Sequence, residues 1–191
     1  MTKAKGERCG RMPERDIFWY VLQTRTGSEN KIVELLKERL DVRNCHPFVP
    51  VKTHVFRRRG EEYLFQKICF PGHVFIESIM PANEFMRQAY PIIFKLKNAY
   101  RFLYYENRYD IAMWEKERSA FSKILGKDRC IGVSVAFRDG DTIRILSGAL
   151  KGCESSIIKV NKKETVITTS LFGSDIHISV EMELIENNMP K

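Results

Sequence analysis

The sequence predicts an α+β chain of two units, an N-terminal α/β sandwich and a small C-terminal β-barrel. Three observations point there. Apolar runs in the first 125 residues switch between alternating and helical spacing in the order β-α-β-β-α-β. Beyond residue 134 only short β-rich runs remain, separated by polar turns. Between the two lies a polar stretch punctuated by Gly126 and Gly132.

Residues 17–23 (IFWYVLQ) form a compact apolar and aromatic run, the mark of a buried strand. Trp19 and Tyr20 are neighbours in it, so one is expected in the core and the other at the surface. Thr26 and Glu29 stand at the spacing of a capping box. Behind them Ile32, Val33, Leu35, Leu36 and Leu40 repeat as the apolar face of a helix of about three turns. Pro47 and Pro50 bracket an extended segment to Phe56, and the charged stretch 57–62 is expected at the tip of a long hairpin.

Residues 73–79 alternate as a strand, with Val74, Ile76 and Ser78 on one face. Pro81 opens a second helix carrying Phe85, Met86 and Ala89, and Pro91 is expected to close it. Residues 92–96 and 100–105 read as further β segments. Residues 111–125 read as a third helix, with Trp114, Phe121 and Leu125 near one face. This order is that of a ferredoxin-like sandwich.

Strands are then expected at 141–146, 156–160, 165–169 and 176–180, with turns at Ser147-Gly148, Asn161-Lys162-Lys163 and Phe172-Gly173. Short strands with polar turns suit a small barrel, which leaves few exposed edges. The expected organisation is a flexible basic tail over 1–15, a sandwich over 16–125, a linker over 126–134 and a barrel over 135–188. Few elements are expected to tie the two domains together.

Composition narrows the function. With 43% hydrophobic and 29% charged residues the chain is an ordinary globular one. No apolar run approaches the roughly 20 residues that cross a bilayer. Residues 1–15 hold five basic side chains and no apolar stretch, which is not a secretory signal, so a cytoplasmic protein without membrane contact is expected. Five scattered cysteines fit free thiols in a reducing compartment. The net charge of +8 lies wholly in the first 125 residues, since the remainder balances 9 basic against 9 acidic groups. A basic first domain points to an anionic partner, and nucleic acid is the usual one.

Chemistry-bearing motifs are missing. The sequence has no glycine-rich phosphate loop, no His-Glu-x-x-His and no Cys-x-x-Cys. Only His46 of the four histidines sits beside a cysteine, Cys45, and one pair is short of the three or four ligands of a metal site. The carboxylates read as solvated charge on helix surfaces and turns. No catalytic residue, metal or cofactor is expected.

Two patterns rise above this background. One is Trp19-Tyr20-Val21, then Gly27-Ser28-Glu29, then Phe70-Pro71-Gly72-His73-Val74-Phe75 after the basic hairpin. The other is Gly140-Asp141-x-Ile143-x-Ile145 followed by Ser147-Gly148-Ala149-Leu150-Lys151-Gly152, with Leu171-Phe172-Gly173 beyond. The first resembles the N-terminal (NGN) domain of the NusG family of transcription elongation factors. The second resembles the family's KOW motif, housed in an SH3-like barrel. Both occur in the family's order and together cover nearly the whole chain.

The resemblance implies a non-enzymatic, monomeric factor that binds the clamp helices of RNA polymerase and promotes processive antitermination. Trp19, Tyr20, Phe70 and His73 match the polymerase-facing positions, although the family usually carries tyrosine where His73 stands. Arg57, Arg58 and Arg59 at the hairpin tip are candidates for phosphate contacts with non-template DNA, which position without specifying sequence. Arg144, Lys151, Lys159, Lys162 and Lys163 are candidates for a patch that meets nascent leader RNA. Leu171 and Phe172 match the apolar turn through which such barrels grip a ribosomal protein or a termination factor. Ser155 replaces a glycine usual in the motif, and residues 105–117 lack the proline-rich segment of general NusG proteins. With the basic tail, these departures resemble a specialised paralogue of the LoaP type. The alternatives are a general elongation or termination factor coupling polymerase to the ribosome or to a termination factor, and a ribosome-associated KOW RNA-binding protein.

Overall fold

The computed structural model describes residues 16–139, 142–161 and 164–186. The basic tail over 1–15, the turn residues Gly140 and Asp141, the lysines 162 and 163 and the last residues of the expected barrel lie outside them.

The first half is a sandwich built from β1 (Phe18–Thr24), α1 (Glu29–Arg39), β2 (Cys45–Phe48), β3 (Val51–Arg58), β4 (Glu61–Ile68), β5 (His73–Ser78), α2 (Ala82–Ile93) and β6 (Ala99–Phe102). Its four-stranded sheet runs β2-β5-β1-β6, every pairing antiparallel, which is the ferredoxin-like arrangement. The hairpin β3–β4 is inserted between β2 and β5. It turns at Arg59 (φ 54°) and Gly60 (φ 85°), two left-handed residues whose twist matches that of the paired strands.

One face of the sheet packs on the two helices. Tyr20, Leu22, Val74 and Ile76 meet Ile32 and Leu36 of α1 and Phe85 and Ala89 of α2, forming a fully buried core. Helix α1 departs from the capping-box expectation. It begins at Glu29 with Ser28 as N-cap and no side-chain cap, so Glu29 stands at N1 instead of N3, and its carboxylate accepts from Gly72 N. Helix α2 also runs past its expected end. Pro91 lies inside its last turn and Ile93 is still helical and buried, so 92–96 is a helix end and turn, not a strand. Proline forfeits one backbone hydrogen bond there, and burial of Ile93 offsets that loss.

A third helix, α3 (Glu115–Ile124), closes the first half. Trp114 precedes it as N-cap and is 53% exposed, so it does not share the buried face of Phe121 as the sequence suggested. The second half contains β7 (Cys130–Ile131), β8 (Ser134–Asp139), β9 (Thr142–Ser147), β10 (Ile157–Val160), β11 (Glu164–Leu171) and β12 (Ser174–Glu186). Five of these form the small β-barrel, in the order β10-β11-β12-β8-β9. The long β12 spans it, pairing antiparallel with β11 through its first half and parallel with β8 through its second. The Ser147-Gly148 turn requires glycine: φ is 94°, and a Cβ would stand 2.5 Å from Ser134 Cα.

The segment expected to be a linker is packed. Cys130 and Ile131 are buried and pair in parallel with Val51 and Lys52 of the hairpin, and Ser134 already belongs to β8. The two halves are not loosely tied either. One apolar cluster runs from Trp19, Phe75 and Phe121 through Phe70 into Leu171, Ile178, Val180 and Met182 of the barrel. The second face of the sheet is thus covered by α3 and the barrel together.

Candidate functional site

The Phe70-Pro71-Gly72-His73 turn is fixed from beneath. Gly72 has φ 79°, its N–H donates to Glu29 Oε1 at 2.6 Å, and its carbonyl accepts from Thr24 N at 2.7 Å. A side chain at this position would crowd the Thr24 carbonyl at 3.2 Å. The turn therefore holds Phe70 over the second face of the sheet. Its ring lies 5.5 Å from Phe75 and 5.4 Å from Phe121. Phe70 is only 8% exposed, packed on these rings and in one apolar cluster with Leu171 and other barrel residues. A narrow cleft of about 60 Å³ remains, with Phe70 and His73 on one side and Leu171, Phe172 and Ile176 on the other. His73 is half-buried at its mouth, and its Nδ1 lies 3.1 Å from the Pro71 carbonyl.

Trp19 and Tyr20 project to opposite faces, as strand alternation requires, yet both are buried. Trp19 shares the face of Phe70, meets Phe48, Phe75 and Phe121 edge-on, and donates from Nε1 to Glu77 at 2.9 Å. Arg129 pairs with the same Glu77 oxygen at 2.9 Å and lies 4.4 Å over Phe48. Tyr20 points to the helices, stacks on Phe85 at 3.8 Å and donates its hydroxyl to the Met80 carbonyl at 2.7 Å. Burial first, and then the nearby Cys45, push its ionisation far above the usual tyrosine range. The expectation that one of the pair faces solvent is thus corrected: both faces of β1 are covered. Tyr20 is a core residue of the helix-covered face and is wholly buried.

The barrel is held by one carboxylate that the sequence did not single out. Glu117 of α3 is buried and accepts from Phe172 N at 2.8 Å, Gly173 N at 2.9 Å, Ser170 Oγ at 3.1 Å and Tyr105 Oη at 2.6 Å. Phe172 (φ 52°) and Gly173 (φ 74°) are both left-handed, so their N–H groups turn together toward the anion. Tyr105 stacks on Trp114 at 4.0 Å and touches the Phe172 ring at 4.9 Å. Burial, and after it the bond to Glu117, push the Tyr105 phenol well above its usual range. A second tie lies at the hairpin base: Lys52 Nζ donates to the Ser179 carbonyl and His54 Nδ1 meets Glu181, each at 2.5 Å. Leu171 is buried and Phe172 half-buried, so the apolar turn expected to be open is occupied by the sandwich.

The basic candidates lie elsewhere. Arg57, Arg58 and Arg59 are exposed at the hairpin tip, with Arg57 paired to Glu62 at 2.5 Å. Arg144 on β9, Lys151 after it and Lys159 on β10 are exposed. Strands β9 and β10 are the two end strands of the five-strand order and are not hydrogen-bonded to each other. Lys162 and Lys163 fall outside the described residues. Nothing in the sequence marks Glu117. A glutamate on an amphipathic helix looks solvated until its partner, far along the chain, is known.

The chain is similar to known proteins over most of its length. The family model described as "Transcription termination factor nusG" matches residues 18–121. The transcription termination/antitermination protein NusG of Streptococcus pyogenes serotype M1 is 26% identical over 175 residues, covering 87% of this chain and 94% of that protein. Its namesake from Thermus thermophilus is 22% identical over 179 residues, covering 88% and 97%. A solved structure described as "Domain interaction in Thermotoga maritima NusG" superposes with a TM-score of 0.47 at 17% identity, over 88% of this chain and 94% of the other.

Proposed function

The chain belongs to the NusG family of transcription termination and antitermination proteins, and on that premise we propose that it rides on RNA polymerase and promotes processive antitermination. The polymerase-binding face is the second face of the sheet, where Phe70 and His73 form the rim and Trp19, Phe75 and Phe121 the floor. One observation supports this most: that face carries a continuous aromatic cluster of Trp19, Phe70, Phe75 and Phe121, covered by α3 on one part and by the barrel of the same chain on the rest. The covering contact is apolar packing around Leu171 and its barrel neighbours with the Glu117, Lys52 and His54 bonds, and a pair of polymerase clamp helices laid on the same rings can replace it.

In this reading the docked barrel is a resting arrangement. Lifting it bares Phe70 for polymerase and releases Leu171 and Phe172 for a partner of their own. Arg57, Arg58 and Arg59 at the far end of the hairpin then reach toward non-template DNA as phosphate contacts. The freed barrel recruits leader RNA through its exposed cations, or a ribosomal or termination protein through its turn.

Capture on immobilised core RNA polymerase tests the reading. Wild-type protein is expected to bind, and Glu117→Gln, with its barrel loosened, to bind more tightly. Capture of both proteins by ribosomal subunits and of neither by polymerase would instead favour a ribosome-associated role.

A further inference from the structure

We propose that the groove between the last turn of α2 and the edge strand β6 is a stacking site for single-stranded RNA. The groove encloses about 450 Å³ and is lined largely by rings. Tyr90 and Phe94, four residues apart at the end of α2, stack with centroids 6.1 Å apart and planes at 22°. Tyr100 on β6 and Tyr104 and Tyr109 in the loop beyond bring the exposed rings to five, over a buried Phe102. Phe94 is 78% exposed, Tyr109 66% and Tyr100 62%. So much aromatic surface left open in one concavity marks a place where something binds.

The charges say what binds. Residues 86–111, the span of the lining, hold Arg87, Lys95, Lys97, Arg101 and Arg108 against Glu106 and Asp110, and Arg101 and Arg108 line the groove itself. Arg101 lies 5.7 Å over Tyr104 and Arg108 5.3 Å over Tyr109. Exposed π-faces interleaved with cations are what a polynucleotide strand needs, bases on the rings and phosphates along the guanidinium rim. Duplex hides its base faces and cannot use the rings. Four of the five exposed rings are tyrosines, so their hydroxyls can pair with a ribose 2′-hydroxyl, the group that separates RNA from DNA. None of these residues belongs to the surfaces assigned above, and the site stands whether or not the Phe70 face meets polymerase.

Fluorescence anisotropy with a labelled, unstructured RNA strand, DNA of the same sequence and the RNA duplex tests this at two salt concentrations. The double change Phe94→Ala and Tyr100→Ala removes exposed rings and should leave the melting temperature in place. It should weaken binding of the RNA strand about tenfold or more with an unchanged salt slope. Arg101→Gln with Arg108→Gln should weaken binding and flatten the slope by about 0.7 for each phosphate left without its cation. Wild-type affinity in the ring variant would overturn the site. So would equal or tighter binding of DNA or duplex, or weakening seen only on changing Lys151 and Lys159. If the ring variant lost polymerase capture while keeping RNA affinity, the groove would be a protein contact.

Discussion

Glu117 on α3 accepts the backbone N–H of Phe172 at 2.8 Å, so a helix carboxylate of the sandwich holds the tip of a barrel hairpin 55 residues away. The same carboxylate takes Gly173 N and the Tyr105 hydroxyl. Glu117→Ala would remove the charged acceptor of these part-buried donors, at a cost of about 1.5 kcal/mol or more. The docked arrangement should open, with faster hydrogen exchange at Phe172 and Gly173 and a lower melting temperature. Wild-type protection at these two amides would mean that apolar packing alone holds the barrel.

Phe70 is both a core residue of the docked form and the proposed anchor for polymerase, and alanine cannot separate the two. Truncating so buried a ring should cost about 3–5 kcal/mol of stability. Phe70→Leu keeps most of the volume and should cost less than about 1.5 kcal/mol. It removes the flat ring, however, and should weaken capture of polymerase about tenfold. Equal capture by the leucine variant would make Phe70 a packing residue only.

That double role shows what the sequence could and could not reveal. The unbroken apolar run Phe18–Leu22 and the alternation of 73–79 sufficed to place β1 and β5, because strand periodicity is local. The same run carried an overlooked sign: a strand without polar alternation is buried on both faces, as Trp19 and Tyr20 prove to be. Pro91 misled because proline is tolerated where a helix end has core to reach. The docking of the barrel was beyond sequence logic. Glu117, Tyr105 and Phe172 have ordinary local contexts and converge only in three dimensions.

Cys69, beside the Phe70 turn, should make stability fall on the alkaline side. Burial pushes its thiol from 9.0 up to about 12, with Lys52 pulling the other way. Its folded-state value is the higher one, so the stabilisation is fully present below pH 9 and is lost as pH rises through about 12. Chemical unfolding at pH 8, 10 and 11, with attention to that stretch, should show a decline that Cys69→Ala makes shallower. Tyr105 contributes a parallel decline above pH 10, since its phenol is raised too. A Cys69→Ala protein with the full wild-type slope would place the effect in the tyrosines or in Cys45 and Cys153, whose thiols burial also raises.

The barrel's two recruitment modes leave different signatures, because the docked state hides one and exposes the other. Arg144, Lys151 and Lys159 are exposed while the barrel is docked, so an RNA partner can meet them without opening the molecule. Leu171 and Phe172 are packed against the sandwich, so a protein partner must wait for release. Changing the three cations to Gln should therefore lower affinity for leader RNA in wild-type and Glu117→Ala backgrounds alike. It should also flatten the salt dependence by about one for each phosphate left without its cation. A ribosomal or termination partner should bind the Glu117→Ala protein more tightly than wild type, with little salt effect. Adding Phe172→Ala should abolish that gain by removing the apolar area it depends on. Binding of the protein partner that is indifferent to Glu117 would mean that the turn is not its handle. RNA binding that is indifferent to the three cations would move the RNA contact off the barrel.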